Sequence, residues 1–239
     1  ARLVLAHQSV VQDNVPRTHS TQYAESFEGT TVGSDLRRDT DQDRELTYLR
    51  LEGTDRASWY DGYSVGLSWH EQDETETRVR SNGTKSRTGF DVGTLGAQAQ
   101  LTKTAGIGEL TAGVEGYRDE VDSESTANPI QGPVADDATY DTLGLYAEDR
   151  FAAGERLDLV LGARFNYAAV DAEQVADPVT GTPFEVEDDW SALVGSARFV
   201  YQLAPEAWNL FGGLSQGFRA PNLSDLTRFD NARTNEFEI

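Results

Sequence analysis

Apolar and polar residues alternate with period two along most of this chain. In 156–171 one face carries Leu157, Leu159, Leu161, Ala163, Phe165, Tyr167 and Ala169, and the other Arg156, Asp158, Val160, Gly162, Arg164, Asn166 and Ala168. Such alternation marks a strand with one apolar and one polar face. Segment 188–204 repeats it, with Leu193, Gly195, Ala197, Phe199, Tyr201 and Leu203 on one side and Ser196, Arg198 and Gln202 on the other. The pattern predicts nine strands, at 2–12, 44–52, 62–80, 88–103, 108–122, 139–152, 156–171, 188–204 and 208–219. Strand 44–52 is the least regular, because Leu46, Tyr48, Leu49 and Leu51 fall on both faces. At roughly 3.3 Å per residue, 156–171 would extend about 50 Å. That is enough to cross a hydrocarbon core of about 30 Å even when steeply tilted. Strands of globular sandwiches are usually about 5–6 residues long, so segments of this length fit poorly there.

The connections sort by parity. Those at 104–107, 153–155 and 205–206 are short, whereas 13–43, 123–138, 172–187 and the stretch after 219 are long; by parity 53–61 goes with the first set and 81–87, of medium length, with the second. One end of the sheet is trimmed and the other elaborated, which is the anatomy of an antiparallel up-and-down transmembrane β-barrel. The fold class is therefore all-β, with the short turns expected in the periplasm and the long loops outside. Strand 62–80 gives the same direction. Its Tyr63, Val65, Leu67 and Trp69 share one face, which then turns to Glu71, Asp73 and Thr75 toward the 81–87 loop. Such a stripe resembles a strand leaving lipid through an aromatic girdle, for which Trp59, Tyr60, Trp190 and Trp208 are further candidates.

Composition narrows the classes. No run of apolar residues approaches the length of a membrane-spanning helix, which leaves barrels open because their strands hide the apolar face in alternate positions. A net charge of −21 argues against a nucleic-acid partner. The acids gather at 71–76, 119–124, 136–137 and 185–189, as expected of solvated loops. There is no cysteine, so disulfide and thiolate chemistry are excluded from these residues. Methionine is also absent, and the chain reads as an internal piece of a longer protein.

Candidate chemistry is sparse. His7, His19 and His70 lie far apart without partners at ligand spacing, although His70 sits on a polar strand face. Asp39, Asp41 and Asp43 begin like a calcium loop, but Arg44 and Arg50 stand where glycine and a bidentate acid are needed. Gly106 and Gly108 flank a tight turn with no following helix, so no phosphate cradle is implied. No catalytic constellation, metal site or cofactor site is expected.

The most specific stretch is 208–226, which reads WNLFGGLSQGFRAPNLSDL. Pro221 cannot donate to a sheet ladder and biases Ala220 to extended geometry, so the strand must stop there. Gly217, Phe218, Arg219, Ala220, Pro221, Asn222 and Leu223 closely resemble a box common in TonB-dependent outer-membrane receptors, at the start of an outward loop. Residues 142–151, TLGLYAEDRF, and the LGARFNY of 161–167 resemble strands flanking a periplasmic turn in the same family. The likeness is close over 139–230 and stylistic over 1–138.

The resemblance implies a barrel of about 22 strands closed by an N-terminal plug, of which 1–239 would be the partial barrel domain, without plug or C-terminal strands. It implies import of a scarce nutrient such as a ferric siderophore, haem or cobalamin, driven through a TonB complex that contacts the plug. Partners would be outer-membrane lipid and a metal-chelate ligand. The box is prominent in haem receptors, which use a histidine in the following loop; 221–239 contains none. Arg164, Arg198, Glu115 and Glu148, on polar strand faces, are candidates to line the lumen and hold the plug. Cross-strand charge pairing is the plainer role for them. A passive porin-like channel is the alternative function, and a β-rich protein whose apolar faces pack on a second sheet is the alternative fold.

Overall fold

The computed structural model describes residues 1–27, 31–54, 59–106, 108–204 and 207–228. Among these residues nine strands form a single antiparallel sheet in which each pairs with its neighbour in the chain. They are β1 (Arg2–Pro16), β2 (Arg37–Thr54), β3 (Gly62–Val79), β4 (Lys85–Thr104), β5 (Glu109–Ser125), β6 (Asp136–Ala152), β7 (Leu157–Ala176), β8 (Pro183–Ala204) and β9 (Trp208–Ser215). One short helix, α1 (Leu223–Thr227), follows.

The register makes the period-two pattern continuous across the sheet. Leu3, Leu51, Val65, Ala99, Val114, Leu145, Phe165 and Leu193 stand opposite one another in a row from β1 to β8. The next row on the other face reads Val4, Arg50, Gly66, Gln98, Glu115, Gly144, Asn166 and Ala192. A slip of one residue in any strand would exchange the faces, so each pairing enforces the others. Nothing among the described residues covers the apolar face: Leu5 is 72% exposed, Leu193 73% and Leu67 54%. A packed second sheet would bury these side chains, and the sheet is a single layer.

The strands run further toward the loop end than the alternation predicts. The connections there shrink to 17–36, 80–84, 126–135 and 177–182, and the contrast in loop length largely becomes a contrast in strand overhang. The reason is physical: beyond the apolar band the outward face no longer has to be apolar, so residues such as Asp39 to Arg44 and Gln72 to Arg78 stay paired without apolar–polar alternation. Among the described residues of 17–36, a parallel bridge joins Thr21 to Asp35. The 80–84 connection is a tight turn, closed by Arg80 N–H to the Thr84 carbonyl at 2.9 Å, with Gly83 at a φ of 82° that favours glycine. β9 is the exception at the loop end: it stops at Ser215, four residues before the predicted limit. The predicted turn residues Pro205 and Glu206 lie outside the described residues, as does Ile107.

The overhang carries its acids in register on the same face as the apolar band. Asp43, Asp73, Asp91 and Asp122 face one another across β2 to β5. The main buried cluster sits on the opposite, polar face at the loop end. It contains Val121, Ala135, Ala138, Val170, Ala172, Val175 and Leu223. Trp190, a girdle candidate by sequence, packs against this cluster instead. Trp59, Tyr60 and Tyr63 do form an edge-to-face group at the turn end, with centroids 4.6 and 6.0 Å apart.

Candidate functional site

Strand alternation places Glu115, Glu148, Arg164 and Arg198 on the polar face of β5, β6, β7 and β8. The structure brings these four together as two ion pairs, each crossing one intervening strand. The Arg164 guanidinium reaches Glu115 at 2.6 Å, over β6, and also donates to Asn166. Arg198 pairs with Glu148 in the same way, over β7. The crossing is possible because β6 offers Gly144 between Glu115 and Asn166. A Cβ at Gly144 would collide with the Arg164 guanidinium.

Tyr146 and Gly113 repeat the device. The Tyr146 hydroxyl donates to Gln100 at 2.9 Å, its ring lying where a Cβ at Gly113 would come within 2.5 Å. Arg164 in turn stands 5.9 Å from the Tyr146 ring centroid. The result is a wall of long polar side chains lying flat along the sheet. Sequence reasoning reached the four charged residues but missed Tyr146, Gln100 and their glycines. The signal available was glycine directly opposite a long polar residue, which is visible only once the register is known.

The 217–223 segment stands at the loop end, in the stretch that follows β9 and leads into α1. After β9 the chain does not continue outward; it folds back over the polar face at the loop end. Asn222 caps α1 by accepting from Asp225 N–H at 2.8 Å, while the Asp225 carboxylate accepts from Asn222 N–H at 3.1 Å. This is a reciprocal capping box. Arg219 pairs with that same carboxylate. The Tyr140 hydroxyl of β6 donates to the Pro221 carbonyl at 2.8 Å. Burial, followed by the nearby Asp119 charge, raises the pKa of this phenol above its ordinary value.

Two further residues, both missed from sequence, complete the anchorage. Thr227 is fully buried; its hydroxyl accepts from Ala135 N–H at 2.9 Å and donates to the Leu223 carbonyl at 2.8 Å. Gln131 donates to the Thr227 carbonyl at 2.9 Å and accepts from Ala176 N–H at 2.6 Å. The helix thus ties loop 126–135 and the end of β7 into one unit. These partners lie 81 and 96 residues apart in the chain for the Tyr140 and Gln131 bonds, which no local pattern could link. His70 faces the polar side opposite Leu46 and Thr94. Among the described residues, no group of three or more His, Asp or Glu is arranged to hold a metal ion.

A family model described as TonB dependent receptor-like, beta-barrel, matches residues 6–237. Among solved structures, the copper transporter OprC superposes with a TM-score of 0.67 at 19% identity, covering 79% of this chain and 33% of that one. A double mutant of the Serratia marcescens hemophore receptor HasR, in complex with its hemophore HasA and heme, gives 0.67 at 15% identity, covering 98% and 36%. The closed form of the ferric-catecholate import receptor Fiu from K12 E. coli gives 0.54 at 14% identity, covering 95% and 44%. At these identities the likeness establishes the fold alone, and the chain spans less than half the length of each structure. A search of curated proteins finds no match.

Proposed function

The chain belongs to the TonB-dependent receptor β-barrel family, and from that membership we propose that it forms part of the wall of an outer-membrane nutrient importer. Its cargo would be a scarce metal chelate or cofactor of the ferric siderophore, haem or cobalamin class, moved through a plugged lumen with energy from a TonB complex. The single observation that supports this most is the open apolar face running unbroken across eight strands, backed by a polar wall. An uncovered surface of that extent in water marks a surface that another phase covers, and a barrel in lipid provides it. On this reading the 55–61, 105–108, 153–156 and 205–207 turns lie in the periplasm, and the overhangs with their loops and α1 lie outside.

The polar wall has the chemistry to meet a plug. Arg164, Glu115, Arg198 and Glu148 satisfy one another across strands yet keep solvent-facing edges, with 37% and 58% of the two arginine side chains exposed. A plug can exchange hydrogen bonds with such a wall without breaking a buried pair. The plug itself would be supplied by the longer protein. A passive channel would share the wall but not the energy requirement. Uptake by cells expressing the full-length protein, with and without a functional TonB complex, separates the two. Loss of uptake without TonB is expected, and uptake that persists would favour the channel.

A further inference from the structure

At the loop end, the chain from Gln216 to Arg228 crosses the polar face as a strap whose partners lie on β5, β6, β7 and β8. On β8, Gln216 N–H donates to the Gly195 carbonyl at 2.9 Å, and the Gln216 side-chain oxygen accepts from Gly195 N–H at 3.1 Å. On β6, the Tyr140 hydroxyl holds the Pro221 carbonyl. Leu223 joins the buried cluster formed with Val121 of β5 and Val170, Ala172 and Val175 of β7, and Leu226 packs against it. Loop 126–135 is stiffened from β5 by the buried Ser123, whose hydroxyl accepts from Gly132 N–H and donates to the Val134 carbonyl, both at 2.9 Å.

These contacts depend on one another. Thr227 and Gln131 are both buried, and each serves two others. Thr227 joins Ala135 N–H to the Leu223 carbonyl, and Gln131 joins the Thr227 carbonyl to Ala176 N–H. A helix shifted only part of the way out would break these bonds while its neighbours still exclude water. Ala135 N–H and the Gln131 amide would be stranded, and Gln131 is what holds Ala176 N–H. A buried polar group left unpaired costs more than an ordinary hydrogen bond contributes. Once the helix has left altogether, water reaches all of them. Partial release is therefore less favourable than complete release, which makes the transition all-or-none. The exposed Arg219–Asp225 pair lies within the strap and travels with it.

We infer that 216–228 is a latch: α1, loop 126–135 and the end of β7 hold and release as one cooperative unit, separate from the apolar-banded part of the sheet beneath. Docked, the strap fixes loop 126–135 to the end of β7 through Gln131; released, it frees both in one step. The inference goes beyond the receptor reading and stands apart from it, because nothing in it depends on what the barrel carries.

The test is amide hydrogen exchange, read by mass spectrometry on the full-length protein in detergent, for wild type and Thr227→Val. Valine keeps the branched shape of threonine and removes its hydroxyl. That hydroxyl bonds to Ala135 N–H and the Leu223 carbonyl, so a local role would speed exchange at Ala135 and leave Ala176 as it was. The latch predicts that peptides carrying Ala135 and Ala176 speed up by the same factor, at least about fivefold, while peptides around Phe165 in the band do not change. Faster exchange at Ala135 without Ala176, or no change at either, would overturn the inference. An equal rise in the band would overturn it too, because the loop end would then unfold only with the whole barrel. If Thr227→Val fails to fold, Tyr140→Phe takes its place: it removes the bond to Pro221, and Ala135 and Ala176 should still respond together. Transport has no part in these rates, so the latch and the receptor reading fail separately.

Discussion

A guanidinium can cross a β-strand only where the strand lacks a side chain, and Gly144 provides that gap for Arg164 and Glu115. Gly113 does the same for Tyr146 and Gln100. These glycines are selected by the neighbour lying over them, since neither has a positive φ. Gly144→Val should therefore destabilise the barrel by about 1–3 kcal/mol, the usual cost of overpacking. In the Gly144→Val, Arg164→Ala double variant the collision partner is gone, and part of that loss should return. Chemical unfolding of the refolded full-length receptor measures both; equal stabilities for wild type and Gly144→Val would remove the argument. Arg198→Ala, by contrast, should change stability by no more than about 1 kcal/mol, because its pair with Glu148 is half exposed.

At the scale of strands, the membrane-length band and the overhang obey different rules. In the band, one face must be apolar, so alternation is visible and residues 157–169 could be read from sequence alone. In the overhang the apolar face gives way to acids while β5 to β7 bury Val121, Ala138, Val170, Ala172 and Val175 on the other face, so the alternation is lost although β2 begins seven residues earlier than its pattern and β7 ends five residues later. The same loss of signal hid α1, whose five residues depend on a capping box and on Tyr140, Thr227 and Gln131 rather than on amphipathic period. What sequence did convey there was the box itself, Gly217 to Leu223, but not that it folds inward.

The overhang also carries a stress that can be measured. Asp91 lies outside the apolar band, and burial, then Asp73, Asp122 and Glu71, raise its pKa above the ordinary carboxylate value. A carboxyl whose pKa is higher folded than unfolded favours folding below its unfolded pKa, and that contribution is lost as pH rises through the folded value. At neutral pH its charge thus works against the folded state. Asp91→Asn should raise the thermal midpoint at neutral pH and low salt. The gain should shrink as salt screens the row and vanish at pH values below the carboxylate range. A variant less stable than wild type at neutral pH and low salt would contradict this direction.

At the scale of the whole molecule, nine strands form one layer with a continuous apolar side and a continuous polar side, and the chain spans under half the length of the barrels it resembles. The central claim is that the first side meets lipid and the second a lumen. Cysteine is absent from the chain, so single cysteines introduced at successive positions from 159 to 167 report on this directly. Placed in an otherwise cysteine-free full-length receptor in lipid bilayers and spin-labelled, each can be scored for collision with oxygen and with a water-soluble nickel chelate. The account predicts a period of two: labels at 159, 161, 163, 165 and 167 favour oxygen, and those at 160, 162, 164 and 166 favour the chelate. A scan without that alternation, or with the two faces exchanged, would contradict it.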